Sequence, residues 1–252
     1  MSGHSKWSTI KHSKAISDAK RGKIFTKLTR EIISAARQGG GNAEMNVRLR
    51  MAVQRARDSN MPIDNIDRAI KRATGDGDDN DQMVEVVYEG YGPGGTAILL
   101  QTITDNKNRT VSEIRSTLTK AGGNLAQTGA VAWQFEQKGV VVVEAEPDQA
   151  EELALIAIDA GADDFETFES TLHLYSAPDK LEEIRKTLTE SDDKIQSSEI
   201  SMLPSIPVSL EDKAALQTLR LLDRLEELDD VQRVFSNADF SDDVLQLYGS
   251  EE

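Results

Sequence analysis

Five cations, Lys20, Lys23, Lys27, Arg30 and Arg37, step along the chain by three, four, three and seven residues. At about 100° per residue they fall on one face of a helix. Ile24, Phe25, Leu28, Ile32 and Ala36 point roughly the other way. The chemistry open to such a row is electrostatic. It can meet successive phosphates of a polyanion while the apolar face packs on neighbouring helices. The same pattern also fits the solvated side of an ordinary amphipathic helix. Only Asp18 and Glu31 offset the cations locally, and that excess favours a polyanion.

Other residues extend the candidate set. In the first 14 residues Lys6, Lys11 and Lys14 interleave with Trp7, His4 and His12. A ring among cations can stack on a base while the cations meet phosphates. Trp7 could equally be a buried anchor on the helices. Arg21, Arg48 and Arg55 lie on the same basic module. A second cluster, Lys107, Arg109, Arg115 and Lys120, surrounds a loop that leads into a helix. Backbone N–H groups at such a helix start can hold a phosphate. An exposed helix with ordinary surface charges is the alternative.

These cations stand out against the rest of the chain. Residues 1–75 hold 16 Lys+Arg and 6 Asp+Glu, a net of +10, and the remainder brings the whole 252-residue chain to −15. A basic module on an acidic body is the signature of a polyanion-binding arm. Other classes recede. With no Cys there are neither disulfides nor thiolate metal sites. Two His without neighbouring Asp or Glu make no metal site at the N-terminus. The run GDGDDNDQ (75–82) starts like a calcium loop, but Asp81 and Val87 stand where Gly and Glu are needed. No apolar run approaches the roughly 18–20 residues of a membrane span, and no secretory signal is visible. Three His and no Cys leave few nucleophile–base options, and no catalytic set is visible. His173 sits in an alternating strand, and the acidic pairs Asp163-Asp164 and Asp192-Asp193 fall at turns. No enzyme, no cofactor and no metal is expected.

The elements that must position the cations follow from periodicity. A helix is predicted from Ala15 to Arg37, stopped by Gly39-Gly40-Gly41. A second runs from Val47 to Ser59 with Asn46 as its cap, and a third from Ile63 to Thr74. From Met83 the period becomes alternating. A strand, the turn EGYGPGG (89–95) and the buried strand TAILLQTIT (96–104) follow. Thr110 and Glu113 read as a capping box. Val131–Glu144 reads as two strands about a Lys138-Gly139 turn. Helix, strand, helix and strand continue to Met202, an order of ferredoxin-like type. A leucine-rich helix over 210–228, a strand over 231–235 and an acidic tail complete the chain. The economical topology returns that last helix and strand to the first sheet.

Several motifs resemble one family. GHSKW (3–7), DAKRGKIFTKL (18–28), GGGN (39–42), NMP (60–62), IKRATG (70–75), EGYGPGG (89–95), DNKNRT (105–110) and GGNL (122–125) are similar to the YebC family, in order over the first half and more loosely beyond. The fold expected is α+β: a basic three-helix N-terminal domain over 1–78, a discontinuous α+β domain over 79–130 plus 207–252, and a ferredoxin-like α+β domain inserted over 131–206. The resemblance implies a cytoplasmic bacterial regulator of gene expression. Members have been taken for transcriptional regulators that bind DNA. Mitochondrial relatives resemble translational activators, and bacterial members are tied to ribosomes translating proline-rich stretches. The expected partner is therefore nucleic acid, either DNA or the ribosomal RNA of the ribosome, with protein partners for the acidic α+β domains. No membrane association is expected, and the chain is expected to be a monomer.

Overall fold

The structure, a computed structural model, describes residues 7, 18–75, 83–168, 170–190 and 194–251. The acidic stretch 76–82 lies outside them.

Three helices open the chain: α1 (Asp18–Gly39), α2 (Val47–Asp58) and α3 (Ile63–Thr74). Their apolar stripes close one core. Ile32, Ile33 and Ala36 of α1 meet Leu49, Ala52, Val53 and Ala56 of α2 and Ile66 and Ala69 of α3. The turn from α1 to α2 is built on Asn46. Its Nδ2 donates to the backbone oxygens of Ala35 (2.8 Å) and Gly40 (2.9 Å), and its Oδ1 accepts from Leu49 N (3.0 Å). One side chain thereby closes the end of α1 and caps α2. Gly39 lies against it, since a Cβ there would stand 2.6 Å from Asn46 Nδ2.

The first sheet comprises β1 (Val84–Tyr91), β2 (Ala97–Thr104), β3 (Asn124–Leu125) and β9 (Val231–Ser236), in the order β3-β1-β2-β9. All its pairings are antiparallel. Helices α4 (Lys107–Lys120), α7 (Asp212–Glu226) and α8 (Asp242–Glu251) belong to it. Ile98 and Leu100 of β2, Ile114 and Leu118 of α4, Leu219 and Leu222 of α7 and Val244 and Leu245 of α8 share its core. Leu99 and Phe235 on the opposite face pack with Val131 of the connection and with Phe135, the first residue of the second sheet. A short parallel pair, β8 (Val208–Ser209) and β10 (Ala238–Asp239), lies beside it.

The second sheet is β4 (Phe135–Glu144), β5 (Ala162–Phe168), β6 (Thr171–Ser176) and β7 (Ile195–Pro204), ordered β5-β6-β4-β7. Helices α5 (Pro147–Asp159) and α6 (Leu181–Glu190) give the sequence βαββαβ of ferredoxin-like folds. The class is thus α+β.

Three sequence expectations are corrected. Residues 135–144 form one unbroken strand with no turn at Lys138-Gly139, because Gly139 pairs with both Ser176 and Ile200 in mid-sheet. Helix α4 begins at Lys107, where the Asn106 side chain accepts from Arg109 N, so Thr110 is not its cap. The acidic tail contains helix α8, whose Val244, Leu245 and Tyr248 are buried in the first core.

Candidate nucleic-acid interface

The cations of the basic module divide into two groups. One group is held in ties, Lys27, Arg30 and Arg48 joining the bundle to the rest of the protein and Arg55 joining α2 to α1. Lys27 Nζ donates to the backbone oxygen of Glu226, at the end of α7. A cation there also complements the negative end of the helix dipole. Arg30 donates to Asp229 O and, at 2.7 Å, to Asp230 Oδ1. Arg48 pairs with Glu85 of β1, which also accepts from Ser34 Oγ (2.5 Å). Arg55 pairs with Glu31 at 2.7 Å. Burial lowers the Arg55 pKa, as does nearby Arg233, against the opposing pull of Glu31 and Glu199.

Asp230 is the residue that the sequence reading missed. It ends the Glu226–Asp230 turn between α7 and β9 and is almost wholly buried, with its side chain 2% exposed. Its carboxylate accepts from Arg30, from Arg109 Nη2 (2.8 Å), from Thr110 Oγ1 (2.7 Å) and from Thr104 Oγ1 (3.1 Å). Burial pushes its pKa up, but the hydrogen bonds from Arg109 and Thr110, the charge of Arg30 and the bond from Thr104 outweigh that and hold it below the ordinary carboxylate value. In return, the Asp230 and Asp105 carboxylates raise the Arg109 pKa. Much of DNKNRT (105–110) therefore serves this junction: Asp105 holds Arg109, Asn106 caps α4, and Thr110 reaches Asp230. The turn acids Glu226–Asp230 look in sequence like the solvated end of a helix, which is why nothing local marks Asp230.

The other group faces water. Arg21, Lys23 and Arg37 of α1, Arg50 and Arg57 of α2, and Arg68, Lys71 and Arg72 of α3 are exposed. Lys107, Arg115 and Lys120 are exposed on α4. Arg30 and Arg109 converge on one carboxylate, which brings the start of α4 beside α1. One member of each predicted cluster, Arg30 and Arg109, meets the other there.

The remaining predicted residues stand as follows. Lys6, Lys11 and Lys14 lie outside the described residues, as does the side chain of Lys20. Trp7 is not a stacking platform. It is buried in the first-sheet core with Ile98, Leu100 and Leu219, where no base can reach it. Lys27 and Arg30, predicted on the solvent face, are the inward pair. His173 is buried on β6, and burial lowers its pKa. Among the described residues no group of three or more His, Asp or Glu is placed to hold a metal. No described helix is long and apolar enough to cross a membrane.

A second buried carboxylate organises EGYGPGG (89–95). Glu89 accepts from the backbone N–H groups of Gly129 (2.6 Å), Val131 (2.6 Å) and Ala132 (2.9 Å). Burial pushes its pKa up, but these donors prevail and hold it low. Glu89 thereby clasps the segment that leads from the first sheet to the second.

The chain is similar to known proteins along most of its length. Residues 5–76 match the model of the TACO1/YebC protein N-terminal domain, and residues 83–238 that of the TACO1/YebC second and third domain. The chain belongs to the TACO1/YebC family. A relative from Dehalococcoides mccartyi, called a probable transcriptional regulatory protein, is 53% identical over 251 residues, covering 100% of both chains. One from Pelotomaculum thermopropionicum with the same description is 52% identical over 246 residues, covering 96% of this chain and 100% of its own. The crystal structure of a conserved hypothetical protein from Aquifex aeolicus superposes with a TM-score of 0.86 at 44% identity, covering 94% of this chain and 98% of that one.

Proposed function

We propose that this TACO1/YebC chain is a cytoplasmic, nucleic-acid-binding regulator of gene expression that grips phosphates through the outward cations of its helical bundle. The observation that carries the reading is the surface left after the inward ties are made. Besides Arg48, which pairs with Glu85, eight Lys and Arg of residues 21–75 are exposed on the bundle, against four exposed acids, Glu44, Asp58, Asp64 and Asp67. The body beyond residue 75 carries a net −25, so phosphate is drawn to the bundle and repelled elsewhere. The naming of close relatives as transcriptional regulators supports duplex DNA as the polymer.

The test is the salt dependence of binding to labelled duplex DNA and to structured RNA. With about five phosphates neutralised, the log–log slope on DNA is about −4 to −5. The charge reversal Lys23→Glu, Arg68→Glu and Lys71→Glu flattens it by about 2–3 and leaves the melting temperature in place, since all three side chains are exposed. A flat slope for the unaltered chain removes the reading. Binding to RNA alone, with co-sedimentation on ribosomes that ribonuclease abolishes, moves the function to translation.

A further inference from the structure

The run from Gly139 to Asp179 contains 11 Asp and Glu and not one Lys or Arg in 41 residues. The two cations that border it are already paired, Lys138 with Glu136 and Asp163, and Lys180 with Glu183. Within this one-sign zone, α5 and the edge strand β5 expose large apolar side chains. Leu155 is 64% exposed, Ile158 42% and Phe165 37%. Leu155 and Ile158 are three residues apart and so share a flank of α5. Ala150, Ala154 and Ala157 face the core, and Leu153 on the other flank packs against it. Phe165 pairs with Leu174, a core residue beneath the helices, so it lies on the helix-bearing face of the sheet at its edge. Exposed apolar side chains rimmed by polar groups mark interaction sites.

We propose that this flank of α5 together with β5 is a docking surface for a cationic amphipathic protein segment. The segment's apolar side chains cover Leu155, Ile158 and Phe165, and its Lys or Arg residues meet Glu151, Glu152 and Asp159. Charge complementarity selects this occupant. Nucleic acid is repelled by a surface whose own elements carry no cation and whose bordering Lys138 and Lys180 are each paired with carboxylates, and a second copy of the same face would set like charges against each other. The surface is built from α5 and β5 and the exposed cations of the bundle from α1, α2 and α3, so the chain can hold a polyanion with one part and a polycationic protein with another.

The experiment uses the full chain and a fluorescein-labelled 18-residue amphipathic helix of Leu and Lys, read by anisotropy, with a Leu/Glu peptide of the same pattern as control. The unaltered chain binds the Leu/Lys peptide and not the Leu/Glu one. Leu155→Ser with Ile158→Ser weakens binding by about tenfold or more, since both side chains are exposed apolar surface that the peptide would cover. Glu151→Lys with Glu152→Lys weakens it further as salt is lowered. Both double variants keep the melting temperature and the nucleic-acid affinity of the parent, so failure here is distinct from failure of the bundle's role. Equal peptide binding by parent and Leu155/Ile158 variant, or none by the parent, overturns the proposal. Self-association of the parent in sedimentation equilibrium that the Ser variant abolishes overturns it as well, because the occupant is then a second copy.

Discussion

Replacing Asp230 by Asn probes the junction on which the bundle's orientation depends. The change keeps size and one acceptor oxygen but removes the charge and turns an N–H₂ group toward donors. In the folded protein Asp230 faces two guanidinium groups and two hydroxyls. The Arg109 side chain is 41% exposed, so water screens that pair and it counts for little. Arg30 is 17% exposed against an Asp that is 2% exposed, so that pair behaves as a largely buried one. Thr110 and Thr104 keep each other as partners at 2.8 Å. Breaking a buried pair by removing one member costs about 3–5 kcal/mol, and the remaining Asn acceptor trims this to about 2–4 kcal/mol. For a chain of this size that corresponds to a fall in melting temperature of about 4–16 °C, at about 2–4 °C per kcal/mol. A double-mutant cycle with Arg30→Met locates the loss. Residues in contact couple by more than about 0.5 kcal/mol. Additivity within that limit, or a melting temperature unchanged by Asp230→Asn, would falsify the account of Arg30 as an inward tie and return it to the solvent-facing row. The same variant tests the pH sign. The folded Asp230 carboxyl lies below its ordinary value of 3.8, so it stabilises the fold above that value and ceases to as pH falls through the folded pKa. Asp230→Asn therefore differs most from the parent near neutrality and converges with it in acid.

Three further outcomes are expected. Trp7→Ala removes a buried ring from the first-sheet core and lowers stability by about 3–5 kcal/mol in urea unfolding; an unaltered midpoint with lost nucleic-acid binding would instead restore Trp7 as a stacking group. Asn46→Ala deletes the cap of α2 and the two bonds that close α1, costing about 2–3 kcal/mol, with faster amide exchange concentrated at residues 35–49 as the check. Glu89→Gln lowers stability at pH 7 by about 1–3 kcal/mol, because three N–H donors lose a charged acceptor. Glu89 also has a folded pKa held below its ordinary 4.5, so the Gln variant loses stability less steeply than the parent as pH falls from about 5 to 3.

What could be known from the sequence was what depends on near neighbours. Helical spacing in 18–74 and alternation in 84–104 specify local structure, because side-chain direction repeats with the backbone. The charge contrast between residues 1–75 and the rest needs only counting. Asn46 was identifiable as a cap because its partners lie within 11 residues. The family motifs were legible for the same reason, being contiguous strings.

Tertiary structure decided which of those cations are available. On sequence alone Lys23, Lys27 and Arg30 are equivalent members of one row. In the fold Lys27 and Arg30 meet the turn at 226–230, each across 199 or 200 residues, and Lys23 stays exposed. A helical stripe states that cations share a face but not what that face meets. That depends on where a distant turn is delivered by sheet pairing, here β9 against β2. Trp7 shows the converse case. Its cationic neighbours suggested a stacking ring, while its own apolar surface found a core built from strands and helices 90 to 240 residues away. Burial of that ring removes more apolar surface from water than stacking at an exposed site would, so packing prevailed over the local pattern.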